Sequence, residues 1–94
     1  MKPQDAGAQA TLAALNAHYG LASQAESGIQ TALALAPDDP SVLADVAKAN
    51  ELLGKRSQAI AEMQKAVQKG IGLDQLRADP ELTALLSDPK FHQQ

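Results

Sequence analysis

The chain has 94 residues, a formal net charge of −3, only two aromatic residues and no cysteine; this length predicts one domain over residues 1–94, and the missing cysteines exclude a disulfide framework. No run approaches the roughly 18 apolar residues of a membrane-spanning helix, and the basic residues form no stripe interleaved with aromatic side chains, so we expect no membrane span and no nucleic-acid partner. Residues 1–5 lack the apolar core of a signal peptide, so a cytoplasmic location is the default expectation, provided that the chain is not a fragment of a longer or exported protein.

The first 36 residues predict two helices. Residues 6–19 form the first, because their largest apolar side chains recur at helical spacing, namely Leu12, Leu15 and Tyr19. Gly20 follows the last of these and is expected to end the helix. The second helix, over about 22–36, carries a stripe that we expect to be buried, formed by Ala25, Ile29, Ala32, Leu33 and Ala36.

The clearest helix boundary is the sequence Pro37-Asp38-Asp39-Pro40. The Asp39 side chain suits an N-cap, and Pro40 fits the first helical turn, where its missing N–H costs no hydrogen bond. A third helix is therefore predicted over about 40–53 and a fourth over about 56–69, with Gly54 between them. We expect the basic residues of the fourth helix to lie on its solvated outer face: Lys55, Arg56, Lys65 and Lys69.

The last segment begins after Gly70-Ile71-Gly72. Residues 73–77 predict a short helical turn. Asp79-Pro80-Glu81 predicts a helix start, with aspartate as the cap and glutamate near the positive end of the helix dipole. The stripe Leu82, Leu85 and Leu86 then continues to about Ser87, before Asp88-Pro89.

Residues 34 positions apart match across the first four helices. The matching pairs are Ala10 and Ala44, Ala13 and Ala47, Asn16 and Asn50, Gly20 and Gly54, Ala25 and Ala59, and Ala32 and Ala66. A fixed period of this length indicates a helical solenoid, in which each unit buries its apolar face against a neighbour. The sequence therefore predicts an all-α fold with a binding or structural role.

These positions resemble the tetratricopeptide repeat (TPR) family, whose units place small residues where paired helices cross and a glycine between them. The resemblance covers a first unit at 6–39 and a second at 40–72. It implies a right-handed α-solenoid of antiparallel helix pairs, with four main helices. Residues 73–91 resemble one or two short C-terminal capping helices, with an Asp-Pro and Leu-Leu pattern similar to the tails of bacterial members. Asn16 and Asn50 depart from the family, which usually has a large residue there.

The resemblance implies that a peptide or helix of a partner protein binds in a concave groove. The groove residues carried over from the family are Thr11, Ala14, His18, Asp45, Lys48, Glu51 and Leu52. One TPR subfamily captures C-terminal carboxylates with lysine and asparagine, but its positions hold Ala10, Ala14 and Asp45 here. Because Asp45 would repel a carboxylate, we exclude that ligand class.

Alternatives stay open at this point. Asp45, Lys48 and Glu51 also fit an ordinary solvated helix face. Asn16 and Asn50 fit either buried amides paired with backbone or a ladder that binds a ligand's backbone. The chain as a whole also fits a structural role, as the end of a longer array or as a homodimer formed through the exposed edge of the first helix.

Nothing in the sequence indicates catalysis. His18 and His92 are the only histidines, and neither has a nucleophile or a set of metal ligands at motif spacing. We therefore expect no enzyme activity, no metal and no cofactor.

Overall fold

The computed structural model describes residues 5–92, and every regular element among them is helical. The long helices are α1 (Ala6–His18), α2 (Ala22–Leu35), α3 (Pro40–Leu52) and α4 (Arg56–Gln68). Two short helices follow, α5 (Leu73–Arg77) and α6 (Thr83–Ser87), with a first 3₁₀ turn at Pro80–Leu82 and a second at Pro89–His92. The all-α prediction is confirmed, and each long helix ends one residue before its predicted end. No described helix combines the length and apolarity that crossing a membrane requires.

Local side chains account for the helix boundaries. Asp39 caps α3 by accepting hydrogen bonds from the backbone N–H groups of Ser41 at 2.9 Å and Val42 at 3.3 Å. Gly20 and Gly54, 34 residues apart, follow α1 and α3 with φ angles of 77° and 83°. A residue with a Cβ atom is strained in this left-handed region, so both turns favour glycine.

Two apolar clusters form the core, and they differ in composition. The N-terminal cluster lies between α1, α2 and α3 and consists largely of alanine: Ala10, Ala13, Ala14, Ala17, Ala25, Ile29, Ala32, Val42, Val46 and Ala49. The C-terminal cluster lies between α3, α4 and the residues after them, and it contains larger side chains: Leu43, Ala44, Ala47, Ala59, Ile60, Met63, Ala66, Leu76, Leu82, Leu85, Leu86 and Phe91. Alanine lets helices approach closely but buries little area per residue.

The leucine stripe of α1 faces away from the core. Leu12 and Leu15 are each 49% exposed and Tyr19 is 69% exposed, whereas Ala10 and Ala13 are fully buried. The close approach of α1 to α2 explains why alanines and not leucines face the core, since there is little room between the two helices. A Cβ atom at Gly28 of α2 would lie only 3.1 Å from the Cβ of Ala13. In α2 the predicted stripe is buried except for Leu33 and Ala36, which are half-buried.

The segment 73–92 packs over α3 and α4. The first 3₁₀ turn contacts α3, while α6 and the second 3₁₀ turn contact α4. Its apolar side chains complete the C-terminal cluster, namely Leu76, Leu82, Leu85, Leu86 and Phe91. The far side of the α3–α4 pair is thus covered.

The basic residues of α4 and its ends are partly exposed, as expected, and each of them is also ion-paired, which sequence reasoning did not predict. Lys55 pairs with Glu26, and Lys65 and Lys69 lie 3.2 and 3.8 Å from Asp38. Arg56 pairs with Glu51 at 2.6 Å and with Asp88 at 2.8 Å. Apart from the Arg56–Glu51 contact, these pairs tie α4 to segments that sequence reasoning treated separately.

The two repeated asparagines lie in different surroundings. Asn50 is 4% exposed and donates a hydrogen bond from Nδ2 to Glu62 Oε1 at 2.6 Å. Burial raises the pKa of Glu62, and the bond from Asn50 partly offsets the rise. Asn16 is only half-buried. The buried amide at Asn50 is therefore satisfied, though by a side chain and not by backbone.

Candidate functional site

A cleft of about 350 Å³ opens between α1, α3 and the first 3₁₀ turn. Side chains three, four and seven positions apart on a helix share one face, which places Thr11, Ala14, Leu15 and His18 along the α1 wall. Tyr19, directly after α1, extends that wall, and its ring lies edge-on to His18 with the centroids 5.0 Å apart. The opposite wall holds Asp45 and Lys48 of α3, and Glu81 of the first 3₁₀ turn closes one end.

Five of the seven groove residues inferred from the sequence line this cleft: Thr11, Ala14, His18, Asp45 and Lys48. The other two are not among its lining residues. Glu51 accepts hydrogen bonds from Arg56 Nε and Nη2, both at 2.6 Å. Leu52 is half-buried against the N-terminal cluster.

Sequence reasoning missed three lining residues: Leu15, Tyr19 and Glu81. The first two were available from the helical period, since they neighbour inferred groove residues on α1. The sequence around Glu81 indicates only a helix start. Its position in the cleft depends on the path of the segment after α4, for which no local pattern exists.

Lys48 fastens the C-terminal segment to α3. Its Nζ atom lies 2.6 Å from Asp79 Oδ2 and 3.2 Å from Glu81 Oε1. Burial lowers the pKa of Lys48, but the two carboxylates outweigh that effect and the pKa is raised. For Asp79, burial acts to raise the pKa, yet the bonds from Lys48 and from the Glu81 backbone N–H hold it below its usual range. The cation of the cleft is thus already neutralised by the protein's own carboxylates.

A second contact joins the same segment to α1. Nδ1 of His18 lies 2.6 Å from Oε2 of Glu81. The bonds from His18 and then Lys48 hold the pKa of Glu81 below its usual range. Glu81 therefore bridges α1 and α3 across the end of the cleft.

Asp45 is the carboxylate of the cleft that is not neutralised. The Thr11 hydroxyl donates a hydrogen bond to its Oδ2 at 3.2 Å. Asp45 takes part in none of the ion pairs formed among residues 5–92. Burial raises its pKa, and the Thr11 bond and the charge of Lys48 offset the rise only in part.

No protein-family model, curated protein or solved structure matches this chain. Within residues 5–92, no group of three or more histidine, aspartate or glutamate side chains is arranged to hold a metal ion.

The two walls of the cleft have different chemistry. The α1 wall offers apolar surface from Ala14, Leu15 and Tyr19, of which Leu15 and Tyr19 are well exposed. The α3 wall offers a half-buried carboxylate at Asp45, beside a lysine that is already paired. Such a site suits a ligand with an apolar group next to a cation.

Proposed function

We propose that the chain is a protein-interaction module, without catalytic activity, that binds a peptide or helix of a partner protein in the cleft between α1 and α3. The observation that carries this proposal is the pairing of exposed apolar surface with an unneutralised carboxylate. Leu15 is 49% exposed and Tyr19 is 69% exposed, and both lie in one cleft with Asp45. A partner that covers them gains apolar burial and a charge-assisted contact at once.

The cleft favours a partner segment in which an apolar residue is next to lysine or arginine. Its lining has two carboxylates, Asp45 and Glu81, against one cation, Lys48, which gives a formal charge of −1 with His18 neutral. Lys48 is occupied by Asp79 and Glu81, so an acidic ligand would find no free cation there. A volume of about 350 Å³ lies at the small end of ligand sites, which suits a few side chains and not a whole domain.

The two helix pairs would be TPR-like units at 6–39 and 40–72, stacked as a right-handed solenoid and capped by 73–91. The equivalent left-handed glycines, Gly20 and Gly54, support it, as do the fully buried alanines Ala13 and Ala47. A cytoplasmic location and a protein partner, with no nucleic acid, complete the proposal.

Peptide selection tests the function. A randomised peptide library selected on the intact chain is expected to yield sequences with an apolar residue beside a basic one. Asp45→Asn should weaken the best peptide by about tenfold, because it removes the carboxylate that receives the cation. Asp74→Asn is the matched control, since the Asp74 side chain is fully exposed on α5 and does not line the cleft.

Two results would overturn this assignment. One is selection of peptides that lack the apolar and basic pair. The other is equal affinity of the selected peptide for the wild type, Asp45→Asn and Tyr19→Ala, with both variants shown to be folded by their circular-dichroism melts.

A further inference from the structure

A second surface, separate from the α3 wall of the cleft, exposes the largest apolar side chains of the first helix pair. It follows a stripe along α1 and continues to both ends of α2. We call it the N-terminal edge and define it as Ala8, Leu12, Leu15, Tyr19, Leu21 and Leu35. The five large members are between 42% and 69% exposed.

The 34-residue repeat shows what happens at the equivalent positions of the next helix pair. Ala8, Leu12 and Leu15 correspond to Val42, Val46 and Ala49 of α3. Those three residues are 2%, 0% and 0% exposed, because they belong to the N-terminal cluster, where α1 and α2 pack against α3. Tyr19 corresponds to Leu53, which packs against the same cluster. The N-terminal edge thus repeats a surface that the protein itself covers with helices.

Charge distinguishes the N-terminal edge from its buried counterpart. In the second helix pair, Lys55 and Lys69 reach back to Glu26 and Asp38 of the preceding part of the chain. Their equivalents 34 residues earlier are Leu21 and Leu35. If another helix pair packed before α1 and carried carboxylates at the positions equivalent to Glu26 and Asp38, those carboxylates would meet Leu21 and Leu35 and find no cation there. Burying an unpaired carboxylate against leucine costs free energy.

The groove beside the edge is also uncharged. A cleft of about 360 Å³ between α1 and α2 is lined by glutamine, serine, alanine, glycine, leucine and asparagine, with Gln9, Asn16 and Gly28 among its residues. A surface without charges meets no like-charge repulsion when it faces its own copy across a two-fold axis.

The opposite end of the molecule limits how a copy can dock. The segment 73–92 covers much of α4 and the far side of α3, and the apolar surface left open beside Val67, Leu73 and Phe91 is a small cleft of about 170 Å³. A head-to-tail contact would place the edge of one copy on this small cleft, whereas an isologous contact buries the N-terminal edge of both copies. We propose that the N-terminal edge is a homodimer interface in which α1 and the ends of α2 of two copies pack together about a two-fold axis.

Analytical ultracentrifugation of the intact chain across the micromolar range tests this inference. The wild type is expected to sediment as a concentration-dependent dimer. Leu12→Glu should weaken the dimer by roughly 100-fold, because the symmetric contact contains the new charge twice. Ala84→Glu is the matched control, since it adds the same charge at an exposed position of α6 and should leave the dimer unchanged.

A second variant keeps the test decisive if Leu12→Glu folds poorly. Leu35→Lys installs the residue type that the repeat already carries at Lys69, so it should fold normally and still weaken the dimer. Leu15 and Tyr19 belong to the N-terminal edge and also line the cleft, so neither separates the two surfaces and neither is used here. Asp45→Asn should leave the dimer intact, which separates this inference from peptide binding in the cleft.

Three results would overturn the inference. The first is a wild type that stays monomeric up to about 100 µM, well above the dissociation constants of specific dimers. The second is a dimer that both Leu12→Glu and Leu35→Lys leave unchanged. The third is growth into species larger than a dimer, which indicates a head-to-tail contact.

Discussion

The two ends of this small protein differ in the side chains that form their core and in the surface that they leave exposed. The first helix pair is held by a cluster in which seven of ten residues are alanine, and it places its leucines and tyrosine outside. The second pair is held by leucine, isoleucine, methionine and phenylalanine, and residues 73–92 cover it. Since apolar stabilisation scales with buried area, the C-terminal end supplies most of the stability, while the N-terminal end leaves apolar side chains exposed.

Removing the covering segment is expected to have the largest effect. Deletion of residues 73–94 exposes Leu43, Ile60 and Met63, which are at most 7% exposed in the intact chain. The loss of several buried leucines and Phe91 exceeds the roughly 5–15 kcal/mol that holds a typical domain together, so we expect unfolding or association. Circular-dichroism melting and sedimentation measure this, and an unchanged monomeric melt would contradict it.

Truncation of one leucine at each end separates the two kinds of surface. Leu85→Ala removes a fully buried side chain and should cost about 3 kcal/mol, whereas Leu12→Ala removes a half-exposed one and should cost less than about 1 kcal/mol. Denaturant unfolding in dilute solution gives both values. Equal costs would mean that the two ends do not differ as described.

Backbone strain at Gly54 is expected to have the next largest effect on stability. Gly54→Val places a β-branched residue at a φ of 83° and should cost about 2 kcal/mol. Lys48→Ala removes a half-buried ion pair and should cost about 1 kcal/mol. Thermal melts report the ranking, with about 4–8 °C expected per kcal/mol for a domain of this size. Identical melting temperatures for the two variants would refute it.

The smallest expected effect is a pH dependence confined to the C-terminal end. Asp79, Glu81 and Asp88 have lowered pKa values, so the stability that they contribute is present above their ordinary pKa values and is lost as the pH falls through the lowered ones. Asp45 has a raised pKa, and its protonation on acidification relieves a burial cost instead.

Amide hydrogen exchange between pH 6 and pH 3 reports this difference. Amides of residues 79–92 should lose protection earlier than those of α1 and α2, because the three carboxylates that fasten the segment lie within it. Loss of protection in α1 before the segment would show that these ion pairs do not hold it.

The long helices were predictable because their signals are local. Gly20, Asp39 and Pro40 act through the backbone conformation or hydrogen bonds of their own neighbourhood, so their effect does not depend on the rest of the fold. Thr11 and Asp45 are one repeat period apart and hydrogen-bonded. Five residues of the cleft were predicted from the resemblance to the TPR family: Thr11, Ala14, His18, Asp45 and Lys48.

The features that could not be predicted from the sequence depend on packing between residues that are distant along the chain. On an alanine-rich helix two stripes compete for the core, and helical spacing alone favours the larger side chains of Leu12 and Leu15. The close approach of Gly28 to Ala13 favours burial of the alanine stripe and not the leucine stripe. This contact depends on how α1 packs against α2, which residue spacing within α1 does not show. Glu81 reaches the cleft through the fold of the segment after α4, which the repeat does not cover.

Chemical-shift mapping with a selected peptide tests the central claim most directly. If the cleft between α1 and α3 binds the partner, the backbone amide shifts that change most should cluster at Thr11, Leu15, Asp45 and Glu81. Changes confined to the second 3₁₀ turn, or to Leu21 and Leu35 at the ends of α2, would contradict it and move the binding site elsewhere.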